Sequence, residues 1–213
     1  MKSETVQKLL QVVGLLKGEG LLDGTGGAVS ARAGDELLVT RGGSARMFWK
    51  LSEEDILVTS SAGSVKVRKH KSDRAPLGMA MHVLVYQLWP EASVVIHSHA
   101  GFAYVASCLG IGLTGEAPVR SLGNIPCLVS DQNPAEFSRN QWDENILRPA
   151  LMKLISADLP GMPGSSLAFL EFEHGFYVIS TDLNLAVTDV ARMHRAAEVA
   201  LSRRTSGSWA GLP

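Results

Sequence analysis

Cysteine is almost absent from the 213 residues: Cys108 and Cys127 are the whole complement. Both sit in apolar surroundings, which argues against a disulfide framework and for two buried thiols of an intracellular protein. An excess of one charge is missing too. Lys and Arg number 20 against 21 Asp and Glu, a formal net charge of -1, so nothing draws the chain toward nucleic acid or a membrane. Long apolar runs are lacking, and the longest fall far short of a bilayer span. Met1-Lys2-Ser3-Glu4 leads into an amphipathic stretch carrying Lys8 and Lys17, without the apolar core and cleavage site of a signal peptide. The expected location is the cytoplasm. There is no internal repeat and no low-complexity linker, so a single domain over residues 1–204 is expected, followed by a flexible or partner-docked tail at 205–213.

What is present alternates helical and strand-like patterns. Val6, Leu9, Leu10, Val13 and Leu16 recur at spacings of three and four, predicting a helix from Ser3 to Gly18. A glycine-rich loop, Asp23-Gly24-Thr25-Gly26-Gly27, follows it. Short β-like runs come next at Ala28–Ala31, Glu36–Thr40, Ile56–Ser60 and Ser64–Arg68, separated by turn signals that suggest an antiparallel meander. A helical pattern from Gly78 to Leu88 is closed by Pro90, and the run Val94 to His99 reads as a strand. Further helices are predicted at Gly101–Leu109, Asp143–Ile155 and Leu185–Arg203. Strand-like segments fall around Val119–Val129 and in a hairpin pair, Leu167–Phe172 and Phe176–Ser180. The architecture implied is α/β, with a mostly antiparallel central sheet flanked by helices.

His97 and His99 stand two apart on a predicted strand, so their imidazoles leave the same face, a spacing that suits two ligands of one metal ion. The pair alone is a weak signal, because partly buried histidines satisfied by hydrogen bonds are commoner than ligands. His174 adds a third imidazole at the hairpin turn, where Gly175 permits a tight backbone. Three neutral imidazoles would form a partial shell with open positions, the pattern of a catalytic metal site. His70 reads as solvated within Arg68-Lys69-His70-Lys71, while His82 and His194 read as structural histidines on helices. The basic segment Arg41 to Arg46 could meet a carboxylate or a phosphate, or simply be a solvated loop.

The order of these features resembles the class II aldolase/adducin family. The residues carrying the resemblance are Gly24-Thr25-Gly26-Gly27-Ala28-Val29-Ser30, Leu38-Val39-Thr40, His82-Val83-Leu84-Val85-Tyr86, Pro90-Glu91, Val94-Val95-Ile96-His97-Ser98-His99 and His174-Gly175. The resemblance implies one divalent ion on His97, His99 and His174, zinc first with iron(II) or manganese as alternatives. It also implies a small-molecule substrate and a homo-oligomer, a tetramer in many family members. Family aldolases place an acid/base glutamate at the position matched by Gly78, and bind phosphate at positions matched by Ala28, Gly42, Pro76 and Leu77. Both features are missing here.

The expected activity is therefore a metal-dependent lyase, catalysing C–C cleavage, decarboxylation or dehydration of a small non-phosphorylated carbonyl or carboxylate compound. Two alternatives stand beside it: a non-haem iron oxygenase on the same scaffold, and an adducin-like interaction module without catalysis. Glu116, Asp131, Tyr104 and Tyr177 are candidates for a replacement base, and Arg41, Arg46, Arg74 and Gly27 for substrate contacts.

Overall fold

The computed structural model describes residues 2–22, 27–42, 51–67, 74–76, 78–113, 125–128, 144–158 and 165–209. Eight strands form one sheet: β1 (Ala28–Ala33), β2 (Glu36–Thr40), β3 (Ile56–Ser60), β4 (Val65–Val67), β5 (Val94–Ser98), β6 (Cys127–Leu128), β7 (Ser166–Glu171) and β8 (Gly175–Ser180). Their order is β4-β3-β2-β1-β5-β8-β7-β6. Every pairing is antiparallel except the parallel contact of β6 with β7. The helices are α1 (Lys2–Gly18), α2 (Met79–Leu88), α3 (Gly101–Cys108), α4 (Glu144–Asp158) and α5 (Leu183–Trp209).

Apolar side chains cover both faces of the sheet. Leu9 and Leu16 of α1, Ala103 of α3 and Met193 of α5 pack against Val29, Ile96, Phe176 and Val178. On the opposite face, Met81 and Val85 of α2 and Leu151 of α4 meet Val39, Val95, Phe169, Tyr177 and Ile179. This double cover explains the near-continuous apolar runs of β5 and β8, whose residues are buried throughout. The strands at either edge, β4 and β6, are the shortest, which limits edge-to-edge pairing with another chain.

Predicted and observed boundaries agree at β2 and β3, and within about two residues at most other elements. The largest difference lies at the carboxyl end. α5 continues to Trp209, so residues 205–209 of the expected flexible tail are helical, while 210–213 lie outside the described residues. Of the strand expected around Val119–Val129, the described part contributes Cys127–Leu128 alone. Both cysteines are free thiols, and they are half-buried rather than fully enclosed. No helix among the described residues is long and apolar enough to cross a membrane.

Candidate metal centre

The end of β5 and the turn between β7 and β8 meet at one corner of the sheet. His97 faces Tyr177 across the β5–β8 ladder, and Tyr177 faces Phe169 across the β7–β8 ladder, so the three rings share one sheet face in register. Tyr177 stacks on His97 at 4.1 Å between centroids and on Phe169 at 4.9 Å. His99 lies two residues on, its ring centroid 4.6 Å from that of His97. His174 comes from the three-residue turn, its centroid 4.8 Å from each of the other two.

One nitrogen from each of His97, His99 and His174 lies within 4.8 Å of the others, so the three residues singled out in the sequence form a group able to hold a cation. The hydrogen bonds around them fit that use. His97 Nδ1–H donates to the Phe176 carbonyl at 3.0 Å, and His174 Nδ1–H donates to Glu171 Oε2 at 2.6 Å. With Nδ1 of each of these two rings spent on an acceptor, Nε2 is the nitrogen left for a metal. His97 Nε2 and His99 Nε2 already approach to 2.8 Å. Burial, with the neighbouring charges of His99 and His174, holds His97 well below the usual imidazole range and in the neutral form a metal requires. Three imidazole nitrogens suit zinc, iron(II) or manganese without selecting among them.

Two glycines admit the main chain to this corner. A Cβ on Gly27 would stand 2.4 Å from the His97 carbonyl oxygen, and one on Gly175 would stand 2.4 Å from the Ser98 carbonyl oxygen and 2.8 Å from the His99 ring. Gly27, expected to contact substrate, is thus required by close backbone packing against the ligand strand. Gly78 differs. A Cβ there would meet the Tyr177 hydroxyl at 3.5 Å and His97 Cδ2 at 3.8 Å, ordinary contact distances. Position 78 therefore stands beside His97 and Tyr177, and glycine gives it no side chain.

Among the other expected residues, Arg41 is held within the protein. Its guanidinium binds Asp55 at 2.9 Å with both side chains about as buried as the core, at 3% and 2% exposure. Asp55 in turn accepts from Ser52, so the pair braces the loop around 52–55. Arg74 is exposed, and its carbonyl accepts from the Gly42 amide at 3.0 Å, which places it on the segment leading to Gly78. Tyr104 is partly exposed, with its ring 6.3 Å from that of His99. Tyr177 is fully enclosed, and burial keeps its hydroxyl protonated well above the ordinary range, so it acts on His97 by stacking and not as a base. Glu116, Asp131, Arg46 and Leu77 lie outside the described residues.

His82 is structural, as its place on a helix suggested. It is fully buried on α2, and its Nδ1 meets Ser30 Oγ at 2.7 Å, while Ser30 Oγ also meets the Tyr86 hydroxyl at 3.0 Å. Burial pushes its pKa down to about 3, against an unfolded value near 6.5. Below the unfolded value the denatured chain takes up a proton that the folded chain refuses, so stability is lost as pH falls. Metal-free protein is expected to lose about 2 kcal/mol between pH 6.5 and 5 through this residue alone. Urea titrations at the two pH values would show it; a His82→Gln variant with an equally steep acid limb would remove His82 as the cause.

The sequence reading missed Glu171, whose carboxylate holds His174. The signal was available: on β7 the positions Leu167, Phe169 and Glu171 share one face, and the third is a carboxylate where alternation calls for an apolar residue.

The chain is similar to several known proteins. Methylthioribulose-1-phosphate dehydratase of Serratia proteamaculans is 30% identical over 127 residues, covering 57% of this chain and 60% of that protein. L-fuculose phosphate aldolase of Haemophilus influenzae is 27% identical over 137 residues, covering 60% of this chain and 57% of its own. The match thus spans less than two thirds of either relative. A solved L-fuculose 1-phosphate aldolase superposes with a TM-score of 0.73 at 22% identity, covering 96% of this chain and 88% of that one, a likeness of fold. The family described as class II aldolase and adducin N-terminal domain matches residues 7–201. With a match running from the first helix to the last, the chain belongs to that family.

Proposed function

We propose that the chain is a divalent-metal-dependent lyase acting on a small, non-phosphorylated carbonyl or carboxylate compound. The observation that carries this reading is the convergence of His97, His99 and His174 beside a Gly78 that has no side chain. A divalent ion held there supplies Lewis-acid polarisation of a substrate oxygen. The protein's own groups do the rest. The Phe176 carbonyl and Glu171 fix which nitrogen of His97 and His174 faces the centre, and the Tyr177 ring holds His97 flat against the sheet. Gly78 leaves room for substrate beside His97 where a carboxylate would otherwise stand.

The absence of a phosphate in the substrate is argued from Gly42. A Cβ on this residue would sit 2.6 Å from Pro76 Cα and 2.7 Å from the Ala75 carbonyl oxygen, so no phosphate-binding side chain fits without moving the backbone. Ala28, at another matched position, is buried and offers a methyl group. Arg74, exposed four residues before Gly78, is the cation we assign to a substrate carboxylate. Arg74→Gln is expected to raise KM about tenfold for such a substrate and leave kcat within about twofold, as loss of uniform binding does. Steady-state kinetics with a carboxylate and its amide would check this, since only the carboxylate should lose affinity.

The activity itself is tested by loading chelator-stripped protein anaerobically with zinc, manganese or iron(II), then offering hydroxy-keto and keto acids beside their phosphate esters. Cleavage, carbon dioxide release or dehydration without oxygen, with the free compound favoured by about tenfold or more in kcat/KM, is the expected result. A preference for the phosphate ester would sink the substrate class, and turnover that needs oxygen would sink the lyase.

A further inference from the structure

Glu171 is an expensive residue to bury. It is 3% exposed, on the sheet face that its strand neighbours Leu167 and Phe169 fill with apolar groups. An ionised carboxylate taken out of water is tolerated where opposite charge or full hydrogen bonding replaces the lost hydration. Here only half of that is visible. Oε2 accepts the His174 Nδ1 proton at 2.6 Å, but Oε1 is buried without a hydrogen-bond partner among the described residues. A single ring N–H is weak compensation for a buried carboxylate. His97 needs no such group: its Nδ1 is held by a neutral backbone carbonyl.

Resting on the reading of the three imidazoles as a metal centre, we propose that Glu171 is a positioning residue that supplies the counter-charge to the cation through His174. The carboxylate fixes His174 with Nε2 toward the ion and makes that ring a stronger donor. The ion's positive charge in turn stabilises the buried carboxylate across the imidazole. His174 is thereby a stronger donor than His97, whose Nδ1 meets a neutral carbonyl. Its place on the three-residue turn, following Glu173 at a φ of 58°, makes it the one whose ring most needs an outside hold.

Two variants separate this role from a plain bracing of the turn. Glu171→Gln keeps an acceptor for Nδ1–H and removes the charge, whereas Glu171→Leu restores the apolar pattern of the strand and removes both. Zinc affinity is measured by chelator competition, cobalt(II) coordination by its visible absorption, and metal-free stability by thermal unfolding. The expected result is zinc binding about tenfold weaker in Glu171→Gln and about a hundredfold weaker in Glu171→Leu. The cobalt bands should shift in Glu171→Leu, and metal-free melting should not fall in Glu171→Gln. Affinities within about twofold of the parent would overturn the inference, as would a metal-free form destabilised in Glu171→Gln with its affinity unchanged. Should Glu171→Leu fail to fold, Glu171→Gln carries the test alone. A folded parent that binds no zinc or cobalt would overturn the metal-centre reading itself, and this inference with it.

Discussion

His97→Ala is expected to bring ion binding and turnover down together. His97 is the ligand held most firmly: strand β5 fixes its Cα, the Phe176 carbonyl fixes its tautomer, and Tyr177 stacks at 4.1 Å on the ring. Removing it leaves two donors, one on the chain beyond β5 and one on a turn, too few to compete with water for zinc. Metal content after dialysis against a weak chelator should fall from about one ion per chain to a small fraction of that, and kcat/KM by ~10³ or more. The fold should survive, because the apolar core around Phe169 and Ile179 is left intact. Unchanged metal content in a folded His97→Ala protein would show that the ion, if any, sits elsewhere.

A single methyl group at residue 175 should do comparable damage by another route. The Cβ of Gly175→Ala would press to 2.4 Å on the Ser98 carbonyl oxygen and 2.8 Å on the His99 ring, and residue 175 has a φ of 149° that side chains rarely accept. Neither neighbour can yield cheaply, since one is central-strand backbone and the other a ligand. Separation of β5 from β8 at this end is expected, costing ~3 kcal/mol or more in stability and about a hundredfold in zinc affinity. Gly14→Ala provides the matched control. It lies inside α1 with open space where the new methyl would go, and should gain about 0.5–1 kcal/mol from helix propensity alone. Denaturant midpoints that moved the same way in both variants would contradict the assignment of Gly175 to close packing.

The contrast between these glycines shows what the sequence could disclose. His97 and His99 were legible as a pair because strand periodicity is local, and His174 because a glycine followed it at a hairpin. The pairing of Arg41 was not legible, since its partner Asp55 lies 14 residues on, beyond the loop that follows β2, and nothing within a few residues of Arg41 announces a buried ion pair. Gly27 and Gly175 both invited a loop explanation, yet it is the approach of β5 from either side that demands them. Glu171 broke an apolar alternation plainly enough, but its meaning depends on a turn that folds His174 back over it. The extension of α5 to Trp209 has no such account: Ser206, Gly207 and Ser208 are poor helix formers, and no propensity argument foretells their inclusion.

Where the ligands come from has a practical consequence. His97 and His99 belong to β5 and its exit, and His174 to the β7–β8 turn, whereas Gly78 stands at the start of α2. On the proposed reading, holding an ion and choosing what is done with it fall to separate pieces of chain. The corner can be retooled at residue 78 while the tripod stays as it is.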